Sequence, residues 1–126
     1  MEGQKTLGLR TCIYKVPNLE EAKQWYTKAF NQTPYFDEPF YIGFNIAGYE
    51  LGLLLEEATN DKKTKNVLTY WGVEDIDQIY NHFLSCDAKA FEAPNNVGGD
   101  IMVAGVEDPW GNLIGLIYNP HFTLAK

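Results

Sequence analysis

The sequence feature that most constrains the fold is the stretch 106–119, VEDPWGNLIGLIYN, because it recurs in weaker form earlier in the chain. Residues 108–112 have the composition of a tight turn, since proline fixes φ and glycine accepts a positive φ. Residues 113–118 are almost uniformly apolar, which is typical of a buried strand. Residues 48–55 align with residues 111–118, and both share the pattern Gly-x-x-apolar-Gly-Leu-apolar. This suggests that the chain was built from two copies of one unit.

A second pair of matching segments supports the duplication. Residues 16–19 (VPNL) match residues 73–76 (VEDI), which lie 57 positions later (73 minus 16). In each segment a polar residue, Asn18 or Asp75, stands where a helix N-cap is expected. The two turn glycines are 63 positions apart (111 minus 48), so the second copy is longer by six residues. A loop predicted over 94–99 is long enough to hold this difference.

Each copy reads as a strand, a helix and three further strands. Apolar residues recur at helical spacing in 19–30 and in 76–86. The other apolar or alternating runs predict strands at 7–16, 33–36, 40–46 and 49–55, and then at 67–73, 88–93, 100–106 and 113–118. The expected organisation is one domain over 1–126, with a module over 7–55 and a module over 67–118 joined by a polar linker over 56–66. One such module leaves half a core uncovered, so the two should pack together as an α+β fold.

Charge and composition narrow the class of partner and the compartment. The chain has 10 basic and 17 acidic residues, a net charge of −7, which argues against nucleic acid or an anionic membrane as a partner. Two cysteines, Cys12 and Cys86, make neither a disulfide framework nor a four-ligand zinc site. The first dozen residues lack the apolar region of a secretory signal, and no apolar run is long enough to span a bilayer. The cytoplasm is therefore the expected location.

With these elements in place, the chain resembles the vicinal oxygen chelate superfamily, which includes glyoxalase I, bleomycin-resistance proteins and extradiol dioxygenases. The resemblance covers nearly the whole chain. It is carried by the strand-to-helix junctions and the turn motif, namely Val16-Pro17-Asn18-Leu19-Glu20, Trp25-Tyr26, Val73-Glu74-Asp75-Ile76-Asp77 and Asp108-Pro109-Trp110-Gly111-Asn112. It implies two βαβββ modules, each curling an incomplete barrel around a pocket. It also implies a homodimer, which the open sheet edges of such modules favour as well.

The resemblance further implies where a metal would be held. In the metal-dependent members, His, Gln or Glu side chains on the first and last strands of each module coordinate the ion. The matching positions here are Thr11 and Leu68 on the first strands, and Gly52 and Gly115 on the last strands. Apart from one weak hydroxyl they offer no donor, whereas divalent metals need imidazole, carboxylate or thiolate ligands. We therefore expect neither a metal nor another cofactor.

Aromatic residues on or beside the predicted strands suggest a pocket wall that stacks a ligand, although plain core packing would use the same residues. The glycines at facing positions would leave room for that ligand. Glu50 shares a strand face with Gly52 and is a candidate partner for a cationic group. The candidate ligand-binding residues are Thr11, Tyr35, Phe44, Glu50, Gly52, Leu68, Tyr70, Trp110 and Gly115.

The preferred hypothesis is a small-molecule binding protein of the bleomycin-resistance type, which holds a planar or cationic organic ligand in an aromatic pocket without a metal. Two alternatives remain open. One is a glyoxalase- or dioxygenase-type enzyme that uses unusual metal ligands such as Glu50 or Glu56. The other is a structural or regulatory interaction module. Metal analysis separates the enzyme from the other two, and a pocket filled solid by side chains would favour the interaction module.

Overall fold

The computed structural model describes residues 5–57 and 62–124, and its secondary structure follows one order twice. The first half contains β1 (Thr11–Val16), α1 (Leu19–Phe30), β2 (Phe36–Glu38), β3 (Tyr41–Ile46) and β4 (Tyr49–Leu55). The second half contains β5 (Tyr70–Gly72), α2 (Ile76–Ser85), β6 (Lys89–Gly98), β7 (Ile101–Glu107) and β8 (Leu113–Tyr118). Each half is a βαβββ module, as the sequence repeat predicts.

Each module forms its own four-stranded sheet, and the two sheets share one topology. The strand order is β1-β4-β3-β2 in the first sheet and β5-β8-β7-β6 in the second. In both, the first strand of the module runs parallel to the last, and the other neighbours are antiparallel. Gly43 pairs with Gly52 in the first sheet, as Gly105 pairs with Gly115 in the second. The α+β fold of two βαβββ modules is confirmed.

The helices begin where the sequence predicts, because both proposed caps are made. Asn18 Oδ1 accepts a hydrogen bond from the Glu21 amide (2.9 Å), and Asp75 Oδ1 accepts one from the Gln78 amide (3.1 Å). Each bond satisfies a first-turn N–H that has no partner within its own helix. Asn31 ends α1 in the left-handed conformation (φ 54°), which asparagine adopts more readily than most residues. Capping chemistry therefore fixes both ends of α1.

One face of each sheet is covered by its helix and carries the core, and the other face is open. On β1, Tyr14 and Val16 are buried while Ile13 is 45% exposed, which is the alternation of a strand with one covered side. On β4, Leu51 and Leu53 are fully buried on the same covered side. We call the opposite side of both sheets the open face. In the first sheet the open face carries Thr11, Ile13, Lys15, Tyr41, Gly43, Glu50, Gly52 and Leu54.

The two modules meet along their first strands and through their helices. The Trp71 indole donates to the Tyr14 hydroxyl (3.0 Å), and the Cys12 thiol donates to the Thr69 hydroxyl (3.5 Å). Aromatic rings of α1 also pack edge-on against a ring of α2. β1 and β5 therefore lie side by side, and the open faces of the two sheets are neighbours.

The strand β6 differs most from the prediction. It runs through Pro94 to Gly98, where the sequence predicted a strand over 88–93 and then a loop over 94–99. Its register against β7 shifts at three places. An edge strand tolerates a proline, which lacks an N–H, and absorbs extra residues as bulges. The six additional residues of the second copy therefore lengthen an irregular strand rather than a loop.

Other boundaries differ by a few residues. β1 begins at Thr11 rather than at residue 7, β2 begins only at the last residue of the predicted 33–36, and β5 covers only residues 70–72 of the predicted 67–73. The predicted linker over 56–66 lies partly outside the described residues, which omit 58–61. Neither helix that the structure describes is long and apolar enough to cross a bilayer.

Candidate functional site

The Asp-Pro-Trp-Gly-Asn turn joins the two modules. Asp108 is fully buried, and its carboxylate accepts hydrogen bonds from the amides of Trp110 (2.9 Å) and Asn112 (2.8 Å) and from Asn112 Nδ2 (2.9 Å). It also accepts one from the hydroxyl of Tyr26 on α1 (2.6 Å). Burial, and then the charge of Asp108, raise the pKa of Tyr26 well above its ordinary value. Because these groups bond to one another across the modules, the turn supports the fold rather than a ligand.

A cleft of about 620 Å³ lies on the open face where the modules meet. Ile13 and Leu54 line it from the first module, and Thr69 and Leu113 line it from the second. Val67, which follows the linker, borders it as well. Pockets for small organic ligands commonly measure about 300–1,000 Å³ and are mostly apolar. The cleft has the volume of such pockets, but it is open to solvent, and seven of its thirteen lining residues are polar or charged.

Three lysines, Lys15, Lys62 and Lys63, border the cleft. The Lys63 ammonium pairs with Glu56 (2.7 Å) and donates to the Lys15 carbonyl (2.5 Å). Lys15 approaches Glu57 at 3.7 Å, but both side chains are well exposed, so the pair adds little stability. Glu56, one of the two acids considered as a metal ligand, is thus already engaged by a lysine.

The space beside the repeat glycines is filled by side chains of the chain itself. A Cβ on Gly52 would lie 2.1 Å from the Tyr41 hydroxyl oxygen. A Cβ on Gly115 would lie 2.7 Å from the Thr69 carbonyl oxygen and 2.8 Å from the Tyr70 ring. The space at these glycines is therefore occupied by aromatic rings of the protein itself. The sequence had suggested that a ligand would occupy it. Open space lies further along β1, in the cleft.

The Glu50 carboxylate lies on the open face between two tyrosines. Tyr35 donates to Oε1 (2.5 Å), and Tyr41 donates to Oε2 (2.6 Å). Gly43 lies beneath them, since a Cβ there would meet Glu50 Oε2 at 2.9 Å and both tyrosine rings at 3.2 Å. Phe36 pairs with Gly43 from β2, and its ring centroid is 6.0 Å from that of Tyr41. We call these five residues the Glu50 cluster.

The tyrosines of the Glu50 cluster are neutral donors. Burial, followed by the hydrogen bond to Glu50, raises the pKa of Tyr41 well above its ordinary value. The hydrogen bond to Glu50 is also the main cause that raises the pKa of Tyr35. Loss of either proton would place a phenolate against a carboxylate, which like-charge repulsion disfavours. Both tyrosines therefore act as hydrogen-bond donors to the Glu50 carboxylate.

The structure brings seven of the nine predicted ligand-binding residues to the open face, in two groups. Thr11, Tyr35, Glu50 and Gly52 lie on or beside the first sheet, where Thr11 is the neighbour of Glu50 across β1 and β4. Leu68, Tyr70 and Gly115 lie on or beside the second sheet, where Tyr70 pairs with Gly115 and Leu68 packs on it. The first group contains the charged cluster, and the second is apolar.

Phe44 and Trp110 are the two predicted residues that lie elsewhere. Phe44 is fully buried and pairs with Leu51, so it faces the helix-covered side of the sheet. Trp110 packs edge-on against Trp25 of α1, with ring centroids 6.2 Å apart. Both side chains lie away from the open face, Phe44 within the core and Trp110 partly buried against it, and their role in ligand binding stays a prediction.

The donors at the metal positions implied by the family resemblance do not fit a metal ion. Thr11 offers a hydroxyl, while Leu68, Gly52 and Gly115 offer no side-chain donor. Within 5–57 and 62–124, no three His, Cys, Asp or Glu side chains are grouped so that they could hold an ion. The two histidines contact main-chain carbonyls instead. The absence of a metal nevertheless remains a prediction for chemical analysis.

Sequence reasoning missed several residues of the open face. Ile13 and Leu54 line the cleft, and Tyr41 both covers Gly52 and holds Glu50. The alternation of strand residues could have found Ile13 and Leu54, which lie two positions from Thr11 and Gly52. It could not have found Tyr41, because Phe44, the residue predicted on the same strand, lies on the other face. No periodic signal could have found Lys62, because it lies outside regular secondary structure.

Comparison with known proteins places this geometry in a family. The family model of the Glyoxalase/Bleomycin resistance protein/Dioxygenase superfamily matches residues 8–116. The chain belongs to this superfamily, because the match spans most of its length. The resemblance to the vicinal oxygen chelate superfamily is thereby confirmed. No curated protein matches the sequence.

Solved structures with the same fold are distant in sequence. A glyoxalase-related enzyme from Fulvimarina pelagi is 14% identical, with 95% of this chain and 94% of that chain covered and a TM-score of 0.79. A glyoxalase/bleomycin resistance protein/dioxygenase family enzyme from Burkholderia phytofirmans is 14% identical, with coverage of 86% and 95% and a TM-score of 0.73. The fosfomycin resistance protein FosX from Listeria monocytogenes is 16% identical, with coverage of 94% and 96% and a TM-score of 0.71. At these identities the likeness establishes the fold alone.

Proposed function

We propose that the protein binds a small organic molecule in the cleft between its modules, without a metal. The observation that supports this most is the cleft itself, about 620 Å³ in volume, where apolar side chains of both modules lie beside a comparable number of polar and charged ones. Ligand sites on many folds lie in such concave junctions, where a few polar groups orient a mostly apolar ligand. Here three lysines border the apolar centre around Ile13 and Leu54, and the Glu50 cluster lies outside the cleft lining, on the same face of the first sheet.

The donor chemistry supports binding rather than metal-dependent catalysis. Glu50 is held by two tyrosines and Glu56 by Lys63, and among the described residues neither acid belongs to a group of three or more His, Cys, Asp or Glu side chains that could hold a metal. A divalent ion needs about three or four converging donors. We therefore expect the purified protein to carry no stoichiometric transition metal.

Elemental analysis of the protein purified without chelators tests the metal-free proposal. Zinc, nickel, iron or manganese should be present only in traces. A near-stoichiometric metal that is lost in Glu50→Ala or Glu56→Ala would contradict the proposal. It would favour the alternative hypothesis, a metal-dependent enzyme that uses one of these glutamates as a ligand.

A thermal-shift screen of planar and cationic small molecules tests the binding proposal. A ligand that binds only the folded state raises the melting temperature by mass action. Ile13→Trp should abolish the shift, because the indole fills the cleft from the open face. Val97→Trp is the matched control, since Val97 is a 57% exposed residue of β6 outside the cleft lining. Shifts that survive in Ile13→Trp would place the ligand elsewhere.

We also propose that the protein is a homodimer. β6 forms the outer edge of the second sheet, and seven of its ten residues are exposed. An unpaired strand edge presents free N–H and C=O groups, and a two-fold symmetric contact commonly covers it. Light scattering at micromolar concentration should give twice the chain mass of 14.3 kDa, and a purely monomeric protein would contradict this.

A further inference from the structure

We propose that the Glu50 cluster binds the cationic head of a small organic ammonium ligand. The inference rests on the proposed function, since it names the chemical class of the molecule whose remainder occupies the cleft. The cluster combines a carboxylate, two neutral hydroxyl donors and three aromatic rings on an open surface.

The first argument is the charge of Glu50. Both of its hydrogen-bond donors are neutral hydroxyl groups, and none of the ion pairs among the described residues includes Glu50. Each carboxylate oxygen accepts one tyrosine proton and keeps further lone-pair capacity. The cluster can therefore receive a cation, which would add the missing opposite charge.

The second argument is the exposed aromatic surface around the carboxylate. The rings of Tyr35, Phe36 and Phe40 are 63%, 37% and 66% exposed. Phe36 contacts the rings of Tyr35, Phe40 and Tyr41, with centroids 6.0–6.4 Å apart. Aromatic faces attract ammonium groups, and they do so more strongly when the cation is partly desolvated. A carboxylate within an aromatic surface suits an organic cation better than an anion or a neutral apolar group.

The third argument comes from the second sheet, where the same combination already holds a cation. The Phe91 ring lies over Gly105, the counterpart of Gly43. The Lys65 ammonium lies 5.2 Å from the centre of that ring and 2.8 Å from a carboxylate oxygen of Glu107. One module thus fills its ring-and-carboxylate arrangement with a lysine of its own chain, whereas the Glu50 cluster has no such lysine among the described residues.

The position of the cluster also agrees with a ligand that extends into the cleft. Glu50 neighbours Thr11 across the sheet, and Ile13 of the cleft lining lies two residues further along β1. Two residues of a strand span about 7 Å. A ligand whose ammonium group contacts Glu50 can therefore place an attached apolar body against Ile13 and Leu54.

Titration calorimetry with choline tests the inference, and 3,3-dimethylbutan-1-ol, its neutral isostere, is the matched ligand. Choline should bind at least about tenfold more tightly than the neutral alcohol, since a desolvated cation–π contact and an opposite charge together exceed the free energy of a factor of ten. Glu50→Gln should reduce choline affinity by about tenfold and leave the alcohol unchanged. Glu74→Gln removes the same charge at an exposed position between β5 and α2, and it should change neither.

A second variant separates a binding defect from a folding defect. Phe36→Leu lies on an edge strand, so it should keep the melting temperature and still weaken choline binding. Equal binding of choline and the alcohol, unaffected by Glu50→Gln, would overturn the ammonium inference while leaving small-molecule binding intact. If neither these two compounds nor any member of the thermal-shift panel binds, the proposed function fails together with the inference.

Discussion

Replacement of Asp108 by alanine should be the most destabilising single change in the turn between the modules. Asp108 is fully buried and accepts four hydrogen bonds, two from main-chain amides and two from side chains. Alanine leaves the Tyr26 hydroxyl and the amides of Trp110 and Asn112 without this acceptor in a space that water does not fill. Removing one partner from such a network costs more free energy than the hydrogen bonds contribute to stability, because the groups left behind stay buried without a partner.

The magnitude follows from the groups left behind. Each buried donor left without an acceptor costs about 1–3 kcal/mol, so several of them together cost about 3–5 kcal/mol, and a domain of this kind is stable by only about 5–15 kcal/mol. For a domain of about this size, each kcal/mol of lost stability lowers the melting temperature by about 3–5 °C. Asp108→Ala should therefore lower the melting temperature by about 10–20 °C.

Urea denaturation of a double-mutant cycle identifies the mechanism. Tyr26→Phe removes the hydroxyl that Asp108→Ala leaves unpaired, so the double variant should lose at least about 1 kcal/mol less than the sum of the two single losses. Asp108→Asn is the conservative control and should cost less than alanine, because it keeps one acceptor oxygen. A loss below about 1 kcal/mol for Asp108→Ala, or additive single losses, would refute the view that this carboxylate joins the modules.

Two further predictions concern packing and pH. Gly115→Ala should lower the free energy of unfolding by about 1–3 kcal/mol in urea denaturation, because the new methyl group meets the Thr69 carbonyl. Gly72→Ala is the control and should change it by less than about 0.5 kcal/mol, since nothing lies within 4 Å of its Cβ position. Equal losses in the two variants would contradict the packing argument. Stability should fall as pH rises above about 10, because the unfolded chain then loses the Tyr41 proton while the raised pKa retains it in the folded state. Tyr41→Phe should make this fall shallower in alkaline denaturation scans, and an unchanged slope would contradict the assignment.

The elements that the sequence predicted best are those defined by local chemistry. The helix starts follow from Asn18 and Asp75, whose side chains cap the first turns as predicted. The predicted strands over 49–55 and 113–118 agree with β4 and β8, because the apolar pattern and the preceding turns both restrict them. In contrast, β6 was shortened in the prediction, because a proline and two asparagines signal a loop unless the strand is known to lie at a sheet edge.

The sequence predicted which residues of one strand share a face in the candidate site, but not how neighbouring strands align. Glu50 and Gly52 were placed correctly on one face, since residues two apart on a strand point the same way. The sequence did not show which face Phe44 occupies, because the face of β3 depends on its register with β4. The filling of the glycine space by Tyr41 depends on a side chain from the neighbouring strand, so it required the structure.

The two modules share one backbone arrangement but differ in the charged groups on their open faces. Both sheets keep a cross-strand glycine pair with an aromatic ring over it, so the backbone arrangement is shared. The position equivalent to Glu50, 63 residues later, is Leu113, which is buried. The second sheet has a carboxylate in Glu107 instead, but Lys65, in the last part of the predicted linker segment 56–66, neutralises it. That segment reaches the second sheet because it leads directly into β5, and it provides no matching lysine for the first. The two halves of the open face therefore differ in charge because the segment between the modules brings a lysine to the second sheet and not to Glu50.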